Sequence, residues 1–318
     1  MKVVEIHTES ALKTSFERFV ASQQNLFYKS EWLDIYPHKQ LQQCALVNNN
    51  NEVIGAFQFF RFKKAMFDCV ITAPFMPSIC LLFNNPAESI VGKNTFEKDV
   101  IEVIADYFNG LKVHLVDIAL PVEVKDTQPF TWKGFKTHLR YTYHLPLQFS
   151  QDELWQRLSS EKRKSISKAE KDGLIIKPCD DFLAVANMVV DALKRNKALA
   201  NEEIIRAIIS KERANYLRIF GAYENNRLLA VTVCVLQEQS YVYLFGGTTL
   251  NNRHHGAAVS CMWHSILAAK AEGKSVFDFE GSMHPGIERY FREFGGNLVP
   301  YAAITKKSLL LDLLMRFK

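Results

Sequence analysis

Apolar and polar positions alternate along two stretches of the chain that read as strand meanders. Residues 43–75, QCALVNNNNEVIGAFQFFRFKKAMFDCVITAPF, carry three β-branched and aromatic runs broken by an Asn-rich turn at residues 48–51. Residues 217–249, LRIFGAYENNRLLAVTVCVLQEQSYVYLFGGTT, repeat the pattern with the turn at Asn225 and Asn226. A helical period follows each meander, FEKDVIEVIADYFNG (96–110) and GAAVSCMWHSILAAKAEG (256–273), and both helices are predicted to stop at glycine. A further strand follows each helix, within LKVHLVDIAL (111–120) and KSVFDFEG (274–281). The shared order of three antiparallel strands, helix and strand predicts an internal duplication, with a first domain over residues 1–140 and a second over 141–318.

Between the copies, YTYHLPL (141–147) reads as the first strand of the second domain. SQDELWQRLSSEKRKSISKAEKDG (150–173) reads as one helix with Ser150 as N-cap and Glu153 at the capping-box position. On its wheel Trp155, Leu158, Ile166 and Ala169 form one stripe and Lys164, Lys168 and Lys171 lie opposite, with Lys162 inside the apolar stripe. In one reading the lysines are a solvated face and Lys162 snorkels to water. In the other, Lys162, Arg163, Lys164 and Lys168 line a path for an anionic substrate such as a phosphate or a tRNA backbone.

A chain of 318 residues suits two domains. Hydrophobic residues at 48% and charged residues at 23% exclude disordered, collagen-like and membrane-spanning classes. The N-terminal MKVVEIHTES lacks the apolar run of a secretory signal, so a cytoplasmic protein is expected, with no transmembrane segment. Six cysteines form no C-x-x-C pair, which argues against a disulfide framework and against a zinc site; Cys261 and His264 share a helix face but have no second pair beside them. A net charge of +5 suits anionic ligands rather than the coating of DNA.

Chemistry concentrates in the second copy. The strand ending in FGGTT leads through Arg253, His254, His255, Gly256, Ala257 and Ala258 into a helix. Strand, small-residue turn and helix N-terminus together make a phosphate cradle, because bare backbone approaches the ligand and the first N–H groups of the helix donate to it. After it, strand alternation in SVFDFEGS puts Asp278 and Glu280 on one face and Phe277 and Phe279 on the other.

This turn resembles the acyl-CoA pyrophosphate motif, R-x-x-G-x-A, of the GNAT acyltransferases. EKRKSISKAEKDG (161–173), FDFEGS (277–282) and GIERYFREFGG (286–296) resemble, in order and spacing, the second domain of FemAB-like proteins. YKSEWLDIY (28–36) and TAPFMPSICLLF (72–83) are similar to the first domain of that family. The resemblance implies a mixed α/β chain of tandem GNAT-like domains, each a mainly antiparallel sheet flanked by helices, that passes an acyl group to an amine. The donor it implies is acyl-CoA, or aminoacyl-tRNA in relatives that modify a lipid-linked cell-wall precursor. The first copy, around LLFNNPAESIVGK (81–93), has no R-x-x-G-x-A and is expected to be degenerate.

Transfer to an amine needs a base and a way to stabilise the leaving group. Glu280 is the expected base and Asp278 the anchor for a cationic acceptor, unless Asp278 pairs with Arg289. GNAT enzymes often place a tyrosine four residues before a glycine to protonate the departing thiolate; that position is Phe291 here, and Tyr290 is expected about 100° away on its helix. His284, at a turn before Pro285, is a second candidate proton carrier or an ordinary surface residue. The tail KKSLLLDLLMRFK (306–318) is amphipathic with basic ends and either closes the fold or docks on anionic lipid. Three functions remain in view: an acyl-CoA-dependent N-acyltransferase acting on a small-molecule or cell-envelope amine, an aminoacyl-tRNA-dependent transferase, and a non-catalytic module that binds an anionic ligand.

Overall fold

The computed structural model describes residues 1–7, 11–23, 25–37, 39–196, 201–250 and 254–316. The first half of the chain forms β1 (Lys2–Glu5), α1 (Lys13–Ala21), α2 (Ser30–Leu33), β2 (Leu41–Val47), β3 (Val53–Lys64), β4 (Phe67–Ile71), β5 (Leu82–Phe83), α3 (Ile90–Gly110), β6 (Leu115–Ala119) and α4 (Gln128–Trp132). There follow β7 (Lys136–Pro146), α5 (Gln151–Arg157), α6 (Ser160–Lys171), β8 (Ile175–Pro178), α7 (Phe182–Arg195), α8 (Glu202–Ile208), β9 (Leu217–Glu224), β10 (Arg227–Leu236) and β11 (Ser240–Thr248). The chain closes with α9 (Ala257–Ala271), β12 (Val276–Asp278), α10 (Pro285–Arg292), β13 (Asn297–Lys307) and α11 (Leu309–Arg316).

Two compact units result, one of Met1–Arg140 with Pro300–Lys318 and one of Tyr141–Val299. In the first, β1, β2, β3 and β4 are antiparallel neighbours, β6 joins β4 in parallel, and β13 pairs antiparallel with β6. In the second, β8, β9, β10 and β11 are antiparallel neighbours, β12 joins β11 in parallel, and β7 pairs antiparallel with β12. Strand order and sense are the same in both units. The last strand of the first unit, β13, comes from the far end of the sequence, so residues 300–318, expected in the second domain, group with the first. The cause is the β6–β13 ladder, which runs from Ala303↔Ala119 to Lys307↔Leu115.

In the first unit α3 lies on the sheet through Val100, Ile104 and Phe108, which pack with Phe57, Phe59, Val116 and Ile118. In the second, Val259, Met262, Trp263 and Ile266 of α9 meet Tyr241, Phe277, Phe279, Phe291 and Phe294. Each of these fully buried side chains contributes about 1.5–3 kcal/mol of transfer free energy.

Helix ends follow local chemistry. Ser150 and Glu153 form the expected capping box on α5. The single helix expected over 150–173 is two helices, however, because Leu158 turns extended (ψ 144) and Ser159 takes the amide of Lys162 on its side chain, starting α6 afresh. The helix in the first copy does not stop by a glycine turn: Gly110 is still helical and Lys112 carries the left-handed φ of 50°. After α9 that role falls to Gly273 (φ 74°). Among the described residues no helix is long and apolar enough to cross a membrane.

Candidate active site

The parallel pair β11–β12 is in register only as far as Val242↔Asp278, whereas β11 runs on to Thr248. Beyond Asp278 the chain leaves the sheet through two left-handed residues, Glu280 (φ 59°) and Gly281 (φ 79°). Glycine is obligatory at 281, where a Cβ would stand 2.0 Å from the Tyr141 carbonyl oxygen. Glu280 has no such excuse, and a non-glycine residue held there costs about 1 kcal/mol, a strain that concentrates at functional sites. Strand alternation therefore does not set the Glu280 side chain, as the sequence suggested; the turn does.

Asp278 is fully engaged. One oxygen accepts the Thr142 hydroxyl at 2.7 Å and the Glu280 backbone N–H at 2.8 Å, and the other lies 3.4 Å from His144 Nε2. Arg289, considered as its partner, pairs instead with Glu293 (2.9 Å) and Glu161 (3.5 Å). Burial, with the Asp278 carboxylate close by, pushes the Glu280 carboxyl up to about 8.

The same unit holds a cleft of about 270 Å³, lined by Arg195, Thr232, Tyr243, Gly246, Ala258 and Tyr290 among others. Arg195 donates to the Thr248 carbonyl at 2.9 Å, and the Tyr290 hydroxyl donates to the Ala258 carbonyl at 3.3 Å. Tyr290 thus faces the cleft rather than turning away from it, and Phe291, its neighbour, is the residue that packs inward, against Phe279 and Tyr243. Sequence reading missed Tyr243 and Arg195. The first looks like one more aromatic of a strand and the second like the basic end of a helix; only the two glycines after Tyr243 hinted at open space.

Arg253 lies outside the described residues. His254 bridges Asp172 (2.9 Å) and the Gly256 N–H, which its Nδ1 accepts at 3.1 Å, so it caps the start of α9. Gly256 is in right-handed helical conformation, and a Cβ there would lie 2.3 Å from the Ser165 carbonyl oxygen and 2.8 Å from Ala169 Cβ. Its bareness lets α6 pack on α9. His255 is exposed, Ala257 is buried, and Ala258 is the member of the expected cradle that lines the cleft.

The basic residues of α6 also separate. Lys162 does not snorkel: it is 7% exposed, its ammonium 3.9 Å over the Tyr290 ring and 3.3 Å from Glu293. Burial lowers its pKa and Glu293 opposes that shift. Arg163 donates to the Gln156 and Leu158 carbonyls at the end of α5. Lys168 pairs with Asp172 at 2.6 Å, and Lys164 is exposed. His284 caps α10 by accepting the Gly286 N–H at 3.3 Å. Cys261 is buried with its thiol on the Ala230 carbonyl, and His264 sits against the Ser260 carbonyl, so the two do not form a ligand pair. Among the described residues no group of three potential metal ligands occurs.

Residues 157–292 match the family model described as an acetyltransferase (GNAT) domain. No curated protein matches the sequence at a significant level. Among solved structures, FemX is similar over 99% of this chain and 99% of its own at 14% identity, with a TM-score of 0.67. L-PGS from Bacillus licheniformis is similar over 86% and 88% (11% identity, TM-score 0.52), and a GNAT-family acetyltransferase from Colwellia psychrerythraea over 97% and 100% (10% identity, TM-score 0.51). Residues 157–292, which hold the cleft and the Glu280 turn, thus match a GNAT acetyltransferase domain model, in a chain that has the fold of FemX.

Proposed function

We propose that this protein is an N-acyltransferase that moves an acyl group from an acyl-CoA thioester to an amine, with Glu280 as the proton acceptor. The observation that carries this reading is the Glu280 carboxyl, raised to about 8, on a strained turn within the segment that matches the GNAT domain. A base works best when its pKa lies near the working pH, and this one is poised to take a proton as the amine attacks the thioester carbon. Asp278 holds the Glu280 amide and, through its charge, helps to keep that pKa high. Nitrogen bonds to the acyl carbon, the carbon–sulfur bond breaks, and the sulfur leaves with its electron pair and takes a proton from solvent.

The GNAT domain match favours a CoA donor, and the inward-turned Lys162 and Arg163 weaken the case for a tRNA track along α6. The acceptor is an amine of a small molecule or of the cell envelope, and a CoA-dependent reaction belongs in the cytoplasm. The matching strand order of the two units supports descent from a duplicated unit whose first copy lost the donor site. Thiol release from a panel of acyl-CoAs with a panel of amines tests this reading. Turnover that falls on Glu280→Gln supports it; absence of transfer with every donor and acceptor would instead favour a module that only binds anionic ligands.

A further inference from the structure

The geometry points to the Tyr243 hydroxyl as the hydrogen-bond donor that holds the acyl carbonyl oxygen as it becomes an oxyanion, in a seat that exists because residue 246 is glycine. This inference rests on the acyl-transfer reading above. Tyr243 lines the cleft, and its ring is fixed edge-on against Phe291 at 5.4 Å. A Cβ at Gly246 would lie 2.4 Å from the Tyr243 hydroxyl oxygen, and the next nearest atoms, at 3.4 and 3.6 Å, also belong to that ring. Gly246 is not in the left-handed region, so the backbone does not require glycine there. What the missing side chain makes room for is one phenol. No described protein group hydrogen-bonds that hydroxyl.

The phenol also has suitable electrostatics. Burial, with Cys234 and Glu280 nearby, raises its pKa well above the ordinary value, so it keeps its proton at any working pH and acts as a donor rather than as an acid. A preorganised neutral donor in a dry site stabilises a developing oxyanion without reorganisation. Phe291, at the helix position where a GNAT enzyme often carries its phenol, has no hydroxyl to offer, and the ring touching it does. Tyr243 itself gives up no proton: the amine proton goes to Glu280, and the thiolate is protonated from solvent.

The test uses full-length Tyr243→Phe and Gly246→Ala, with acetyl-CoA as the donor probe and the acceptor amine found by screening. Tyr243→Phe should lower kcat by about 100- to 1000-fold, the loss on removing one oxyanion donor. Its acetyl-CoA Kd, measured by calorimetry, should stay within about threefold, and the limb of the pH–rate profile due to Glu280 should not move. Gly246→Ala keeps the phenol but displaces it, and should lose kcat in the same direction by at least about tenfold. A merely structural role would shift melting temperature or Kd instead of kcat. Wild-type kcat in Tyr243→Phe overturns this inference alone. A wild-type protein that transfers no acyl group from any thioester overturns the acyl-transfer reading, and this one with it.

Discussion

Gly256 separates a structural from a chemical use of the turn before α9. If its bareness serves helix packing, Gly256→Ala must push α6 away from α9. The added Cβ would meet the Ser165 carbonyl oxygen at 2.3 Å and Ala169 Cβ at 2.8 Å, where ordinary contact begins at 3.4 Å, so the helices must part by about 1 Å. Backbone conformation is not at stake, because φ −85° and ψ −14° are open to any residue. Overpacking of this kind costs about 1–3 kcal/mol, and the stiffer unfolded chain of alanine offsets about 0.4–1 kcal/mol of it. The net loss of about 1–2 kcal/mol corresponds to a fall in melting temperature of about 2–8 °C for a domain of this size, and valine should do worse. Differential scanning calorimetry reads the fall, and acetyl-CoA titration of the same samples reads donor binding. A Gly256→Ala protein with the wild-type melting temperature and abolished acetyl-CoA binding would refute the packing argument and return Gly256 to a phosphate cradle.

Glu280→Gln should slow transfer by about 100-fold or more and remove the limb near pH 8 from the pH–rate profile. Because the folded-state pKa of Glu280 lies above its unfolded value of about 4.3, the native state holds an extra proton between about pH 4.3 and 8, and stability falls as pH rises through that window. The melting temperature of Glu280→Gln relative to wild type should therefore rise from pH 5 to pH 9, and a constant difference would count against a raised carboxyl. Asp278→Asn removes the charge that helps to raise Glu280, so the same kinetic limb should move below pH 8; an unmoved limb would leave burial as its whole cause. Acetic anhydride labelling read by mass spectrometry should modify Lys164 at least about tenfold faster than Lys162, and equal rates would contradict the burial of Lys162 against Tyr290 and Glu293.

The meanders, the long helices and the Ser150 cap were legible because each depends on residues within a few positions of one another. The break at Ser159 was not, since a serine reads the same inside a helix as at its start until its side chain is seen to take the Lys162 amide. Long-range contacts hid the rest. Nothing near Gly256 in sequence announces Ser165, and nothing near Lys162 announces Glu293, 131 positions further on. The carboxylates of FDFEG stood out as chemistry, but the left-handed turn that aims Glu280 is a property of the folded backbone. Tyr243 was camouflaged by the aromatic alternation that made its strand easy to find.

The return of β13 to the first unit has a consequence in time. On the ribosome β6 is complete once Ala119 has been added, but its antiparallel partner β13 ends at Lys307, 188 residues later. At about 5–20 residues per second, that edge of β6 waits about 10–40 s for its partner. The second unit has no such wait, because β7, β12 and the strands between them all lie within residues 136–278. The first unit cannot finish its sheet until the second has been synthesised, so the first 140 residues expressed alone should carry an unsatisfied strand edge and aggregate.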